Sequence, residues 1–130
     1  LHTALESIVA PLRARSAMPI ETSVELSAPL PERARETVYR FVQEAVTNVF
    51  KHADATRVVI SVRELDGEIC AELSDDGKGF EPGPVAGMGL SGLRARALRL
   101  DGTLDVESAL GEGTKVRMRF PRPSLREATA

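Results

Sequence analysis

The sequence holds one cysteine, Cys70, two histidines and no tryptophan among its 130 residues. A single thiol excludes an internal disulfide and fits a reducing compartment. So few histidines and thiols leave little material for a nucleophilic triad, and none for a clustered Cys/His metal site. No apolar run reaches the length that spans a bilayer, and Leu1-His2-Thr3 does not open a signal peptide. An excess of one charge is missing too. Seventeen Lys and Arg stand against 19 Asp and Glu, a formal net charge of −2. No global positive field therefore draws nucleic acid or acidic lipid, and any bound anion must be held by local groups. Neither the phosphate loop G-x-x-x-x-G-K-[ST] nor the nucleophile elbow G-x-S-x-G occurs.

What remains is the composition of one ordinary soluble domain, 42% hydrophobic and 28% charged. The opening on Leu1 and not on methionine points to a piece of a longer protein. Leu1, Leu5, Ile8, Val9 and Leu12 recur at helical spacing and predict a helix over 1–16, which Pro11 kinks or shortens. A strand follows over 20–27, then the strongest helix of the chain over 32–52. Two strands, 56–65 and 68–75, meet at Asp66-Gly67, a good hairpin turn. A glycine- and proline-rich loop leads to a helix over 91–100, and strands over 103–108 and 114–120 flank the turn "LGEG". Hairpins with about three helices argue for an α+β, two-layer sandwich: one mixed, mainly antiparallel sheet covered on one face. The domain is expected to span 1–121, with a frayed tail over 122–130.

"GMGLSG" at 87–92 spells G-x-G-x-x-G. A dinucleotide-binding turn needs a strand running into its first glycine, and here "FEPGPVA" precedes it instead. The dinucleotide reading fails on that ground. Gly87 and Gly89 still lead into a helix that starts near Leu90, whose free N–H groups suit phosphate. Taken alone, they suit a plain loop equally well.

On the 32–52 helix, Val38, Val42, Ala45, Val46, Val49 and Ala53 share one side. Thr37, Arg40, Glu44, Asn48 and Lys51 form a second stripe. A solvated face explains most such stripes. Asn, however, sits poorly in a helix interior, and Glu44 with Asn48 offers the hard oxygens that Mg²⁺ takes. Lys51 stands one turn on, where it reaches a phosphate oxygen; His52 is either its companion or a helix cap.

Strand parity places Ile69, Ala71, Leu73 and Asp75 on one face, with Asp76 pointing away. A carboxylate ending an apolar row is costly unless it meets a donor, and a purine amino group is one. Gly77 and Gly79 then let a flat ring approach the backbone, although Asp-Gly also makes plain tight turns. A calcium loop is excluded, because Gly83 or Val85 would stand where a bidentate Glu belongs. The same parity makes Thr114 an inward hydroxyl at the start of the last strand, able to bond Asp75, a water beside it, or the local backbone.

Together "QEAVTNVFKHA", "DDGKGF", "GMGLSGLRARA" and "GEGT" resemble the four ATP-site boxes of the GHKL, or Bergerat-fold, ATPases. More closely, they resemble the catalytic, ATP-binding domain of bacterial two-component sensor histidine kinases. The compact loop and the helix after it are similar to the subfamily paired with LuxR- or NarL-type response regulators. The resemblance covers nearly the whole chain. It implies that Asn48 ligates Mg²⁺, that Glu44 lies in the metal–water network, and that Lys51 and His52 touch phosphates. It further implies that Asp75 accepts from the adenine amino group, which favours ATP over GTP. Gly77 and Gly79 would shape the base pocket, Gly87, Gly89 and Leu90 would flank the phosphates, and Thr114 would support the adenine end. Residues 80–86 would form a short, mobile ATP lid.

In this family the γ-phosphoryl group passes to a histidine on a separate dimerisation domain, and neither His2 nor His52 lies in such a context. The chain is therefore expected to bind nucleotide yet hardly autophosphorylate, and to be monomeric where its parent is a homodimer. A cytoplasmic location follows from the resemblance, with the parent's own anchoring left open. Two rivals stand beside this expectation. One is a serine kinase of anti-sigma-factor type with the same fold; the other is a nucleotide-gated interaction module without turnover.

Overall fold

The computed structural model describes residues 1–15, 19–49, 57–77, 90–108 and 111–123. Among these are three helices, α1 (His2–Arg15), α2 (Glu32–Asn48) and α3 (Leu90–Arg99). Five strands join them: β1 (Ile20–Glu25), β2 (Val58–Leu65), β3 (Glu68–Asp75), β4 (Thr103–Ser108) and β5 (Thr114–Pro121). The strands form one sheet of order β1-β2-β3-β5-β4, with β1 parallel to β2 and the other pairs antiparallel. All three helices pack on one face, α1 on β1, α2 on β3, and α3 on β4 and β5. This is the mixed, one-sided α+β sandwich that the element order predicts.

Element bounds follow local chemistry. Asp66 and Gly67 take φ of 53° and 76°, the left-handed pair that a two-residue hairpin requires, so Leu65 pairs with Glu68. α1 continues through Pro11 to Arg15 and is not ended by it. Its Leu5 and Val9 are fully buried, and the Arg13 guanidinium donates to the Ile20 carbonyl at 3.0 Å, pinning the helix to the start of β1. β1 stops at Glu25, two residues short of the expected end. On α2 the apolar side is as the pattern predicts, with Val38, Val42, Ala45, Val46 and Val49 buried. Each of these valines contributes about 1.5–3 kcal/mol on burial. Thr37 departs from the predicted polar stripe. It is buried among these residues, and its hydroxyl donates back to the Arg33 carbonyl at 2.9 Å, a bond that lets a polar side chain enter the core. The stretch of the predicted helix beyond Val49, including Ala53, lies outside the described residues.

The expected tail begins with a residue that is held. Arg122 donates to the Glu64 carboxylate (Nη2 at 2.8 Å and Nε at 3.1 Å) and to the Ala28 and Pro29 carbonyls. Its own N–H bonds the Gly67 carbonyl at 2.8 Å. These bonds tie the end of β5 to the β2–β3 turn and to the chain before α2. Residues 124–130 lie outside the described set.

The Arg122 hydrogen bond and the Ser27 backbone N–H hold the Glu64 carboxyl down at about 2, against an ordinary value of 4.5. A carboxyl whose folded pKa is depressed stabilises the fold above its unfolded pKa and loses that contribution as pH falls towards the folded value. Replacing Glu64 with Gln should therefore flatten the fall of melting temperature between about pH 4.5 and pH 2. An acid melting series on both proteins checks this, and parallel curves would show that the pair contributes nothing.

Candidate functional site

The helix directions bring separate parts of the sequence to one end of the sheet. Pro31 and Ala34 at the start of α2, Leu100 and Asp101 after α3, and Pro121 and Pro123 at the end of β5 border one cleft. α2 therefore starts where β5 ends. It is 17 residues long, about 25 Å, close to the length of the eight-residue β3 beneath it. If α2 follows β3 along its length, its last turn, with Glu44 and Asn48, comes towards the end of the sheet where β3 finishes at Asp75. α3 runs the other way. Its C-terminus lies by the Pro121 cleft, so its first residue, Leu90, is turned towards the Asp75 end.

At that end the core face of the sheet changes character. The penultimate row across the strands reads Ile60, Leu73, Val116 and Val106, all apolar. The last row reads Val58, Asp75, Thr114 and Ser108. Three polar side chains thus stand side by side where the helices' apolar cover ends. Asp75 accepts the Gly77 N–H at 2.8 Å, and the Thr114 backbone N–H also supports its carboxylate. Even so, burial pushes the carboxyl above the usual range, and the neighbouring Asp76 adds to the rise. Asp76 points away, as parity predicts, and accepts the Arg57 N–H at 2.9 Å.

Thr114 is inward and half-buried, but its hydroxyl does not meet Asp75. It lies 2.9 Å from the Ser108 hydroxyl, which donates in turn to the Gly113 carbonyl at 3.1 Å. Asp75, Ser108, Gly113 and Thr114 line one open cleft of about 380 Å³, together with Ser74 and Lys115. Gly113, at φ +79°, packs directly on the backbone of Asp75. Its partner in the same turn, Gly111, has a similar φ of +81° but open space around it.

Asn48 is half-buried and Glu44 exposed, one helical turn apart on α2. Their oxygens suit a hard cation, which keeps few protein ligands when phosphates supply the rest. Among the described residues no group of three or more His, Cys, Asp or Glu side chains gathers as an all-protein metal site. Gly77, two residues after Asp75, is buried. Lys51, His52, Gly79, Gly87, Gly89 and the expected lid over 80–86 lie outside the described residues. Ser108 and Gly113 carry structure here without having been singled out. The signal for Ser108 was present, since Leu104, Val106 and Ser108 alternate along β4 as Leu73 and Asp75 do along β3.

The model of the family described as histidine kinase-, DNA gyrase B- and HSP90-like ATPase matches residues 34–124. The chain is 29% identical over 121 residues to the sensor histidine kinase YxjM of Bacillus subtilis, covering 92% of this chain and 30% of that protein. It is 39% identical over 87 residues to the oxygen sensor histidine kinase NreB of Staphylococcus carnosus, covering 65% of this chain and 25% of that one. It thus spans less than a third of either relative. In fold it is similar to the blue-light activated histidine kinase of Erythrobacter litoralis EL346, with a TM-score of 0.76 at 21% identity. That match covers 96% of this chain and 41% of the other. Among the described residues no helix is long and apolar enough to cross a membrane.

Proposed function

We propose, because this chain belongs to the family of histidine kinase-, DNA gyrase B- and HSP90-like ATPases, that it is the ATP-binding catalytic domain of a two-component sensor histidine kinase. The observation that carries this reading is the Asp75 carboxylate, partly desolvated at the end of an otherwise apolar row. Such a group needs a donor from outside, and the exocyclic amino group of adenine supplies one. Gly77 and Gly79, lacking side chains, would let the ring approach, and Thr114 would support the same edge.

Asn48, with Glu44 beside it, would hold Mg²⁺ at the site end of α2. The ion supplies positive charge that neutralises and draws together the phosphate oxygens. Lys51 and His52, next along the sequence, would touch the phosphates, and Gly87, Gly89 and the start of α3 at Leu90 would flank them. Residues 80–86 would close over the nucleotide as a lid. The γ-phosphoryl group then passes to a histidine of a dimerisation domain that the 130 residues do not include, and ADP leaves. By positioning and charge alone, such a site accounts for transfer without a covalent enzyme intermediate. The parent is a homodimer acting on the cytoplasmic side, and its response regulator is of the LuxR or NarL type. The catalytic domain would take in residues 1–121 together with Arg122, whose bonds tie it to Glu64, and the rest would be a C-terminal extension.

Calorimetric titration with ATP, with and without Mg²⁺, and with NAD alongside, tests the core of this reading. ATP should bind, bind tighter with Mg²⁺, and be accompanied by no NAD binding. Asn48→Ala should abolish the Mg²⁺ enhancement, with a thermal melt of the variant to check that the fold persists. Adding a histidine-bearing helical dimerisation domain should then yield labelled phosphohistidine. Binding of NAD in place of ATP, or of neither, would sink the proposal.

A further inference from the structure

Either hydroxyl of the Ser108–Thr114 pair can be the donor, and counting hydrogens favours Thr114. A serine hydroxyl has one hydrogen, and a carbonyl can only accept. The Ser108 hydroxyl lies 3.1 Å from the Gly113 carbonyl and 2.9 Å from Thr114 Oγ1. If its hydrogen goes to the carbonyl, the 2.9 Å contact requires Thr114 to be the donor. Thr114 Oγ1 then has no hydrogen left to offer. Register places Thr114 directly between Ser108 and Asp75, and all three line the same cleft.

We propose that Ser108 is a specificity-determining positioning residue: it takes the proton of the Thr114 hydroxyl, so that Asp75 and Thr114 together present only acceptors to the nucleobase. This rests on the reading of the cleft end as the base site of an ATP-binding domain. An edge of two acceptors matches an amino group, which offers two N–H donors directly or through a water. A 6-oxo purine brings an acceptor to the same place and finds no donor. Asp75 alone repels that oxygen, yet a threonine hydroxyl free to rotate would offer it a hydrogen. Ser108 removes that option. A buried polar group left unpaired discriminates more strongly than a lost attraction does, which gives the device its effect. Gly113 takes part because its backbone at φ +79° belongs to the turn whose carbonyl holds the Ser108 hydrogen.

The test compares ATP with inosine triphosphate, which differs at the recognised edge. Affinities are measured by calorimetry on the wild type and on Ser108→Ala, Ser108→Thr and Thr114→Val, with a thermal melt of each. Ser108→Ala should lower the ATP-to-ITP affinity ratio about tenfold, the size of one hydrogen bond gained or lost. Ser108→Thr keeps the hydroxyl and should keep the ratio. Thr114→Val should lower the ratio by itself, and adding Ser108→Ala to it should change nothing further, because Ser108 acts only through that hydroxyl. If Ser108→Ala weakens both nucleotides equally, or lowers the melting temperature with the ratio unchanged, its role is structural and the proposal falls. An additive double variant would overturn it as well. A wild type that binds neither nucleotide would instead overturn the ATP-site reading, and with it this inference.

Discussion

Replacing Asp75 with Asn should weaken ATP binding about 10- to 100-fold, the worth of a charge-assisted hydrogen bond of about 1.5–3 kcal/mol. The same change should leave the empty domain at least as stable at neutral pH. Both expectations come from one fact: burial holds the Asp75 carboxyl above its ordinary 3.8. The folded state then binds this proton more tightly than the unfolded chain does. Stability accordingly falls as pH rises from about 3.8 through the raised value, and stays lower above it. Asn carries no charge to desolvate and still offers an oxygen to the Gly77 N–H. For ligand binding the sign reverses, because the ionised carboxylate is the acceptor that adenine needs. ATP affinity of the wild type should fall as pH drops through the Asp75 pKa, and that step should vanish in Asp75→Asn. Titration calorimetry across pH with parallel melts measures both. A variant that binds ATP as well as the wild type would remove Asp75 from the site.

Replacing Gly113 with Ala should be the most damaging single methyl in the described part of the β4–β5 turn. A Cβ there would sit 2.2 Å from the Asp75 carbonyl oxygen, 3.1 Å from its carbon and 3.2 Å from the Asp76 Cα. All three are backbone atoms, which cannot swing away as a side chain can. The φ of +79° adds the strain of a left-handed residue. Overpacking and strain together should cost about 2–4 kcal/mol and displace Asp75, so ATP binding should fall along with the melting temperature. Gly111→Ala is the control. Its φ is +81° but nothing stands within 4 Å, so only the conformational strain of about 1–2 kcal/mol applies. Denaturant unfolding of the two variants decides the matter: equal losses would mean that the contact with Asp75 carries no weight.

Much of the site was legible because alternation is a local property. Parity along 68–75 put Asp75 on the core face and Asp76 outside it, and both are so placed. Spacing along α2 put Glu44 and Asn48 one turn apart, as they are. Where the reading went astray, a contact from elsewhere in the chain or a local backbone bond decided. Thr37 belonged by spacing to a polar stripe, yet a bond to the carbonyl four residues back lets it be buried. Arg122 read as the start of a loose tail because its partners, Glu64, Ala28 and Pro29, stand at least 58 residues away. For Thr114 the sequence leaves Asp75, a water or the local backbone as partners, and the neighbour its hydroxyl meets, Ser108, is set by the pairing of β4 with β5.

The sequence by itself determined the element order, the Asp66-Gly67 hairpin, the apolar side of α2 and the four glycine- and acid-marked segments that identify the family. Each of these depends on residues within one or two turns of one another, so their chemistry is written in the local pattern. The tertiary structure alone decided that the polar ends of β3, β5 and β4 fall into one row, Asp75, Thr114, Ser108. Register between strands far apart in the chain is set by how the apolar faces pack, and side-chain hydrogens then have only the partners that packing brings within reach. For that reason the acceptor at Asp75 was visible in the letters, and the Ser108 hydroxyl beside Thr114 was not.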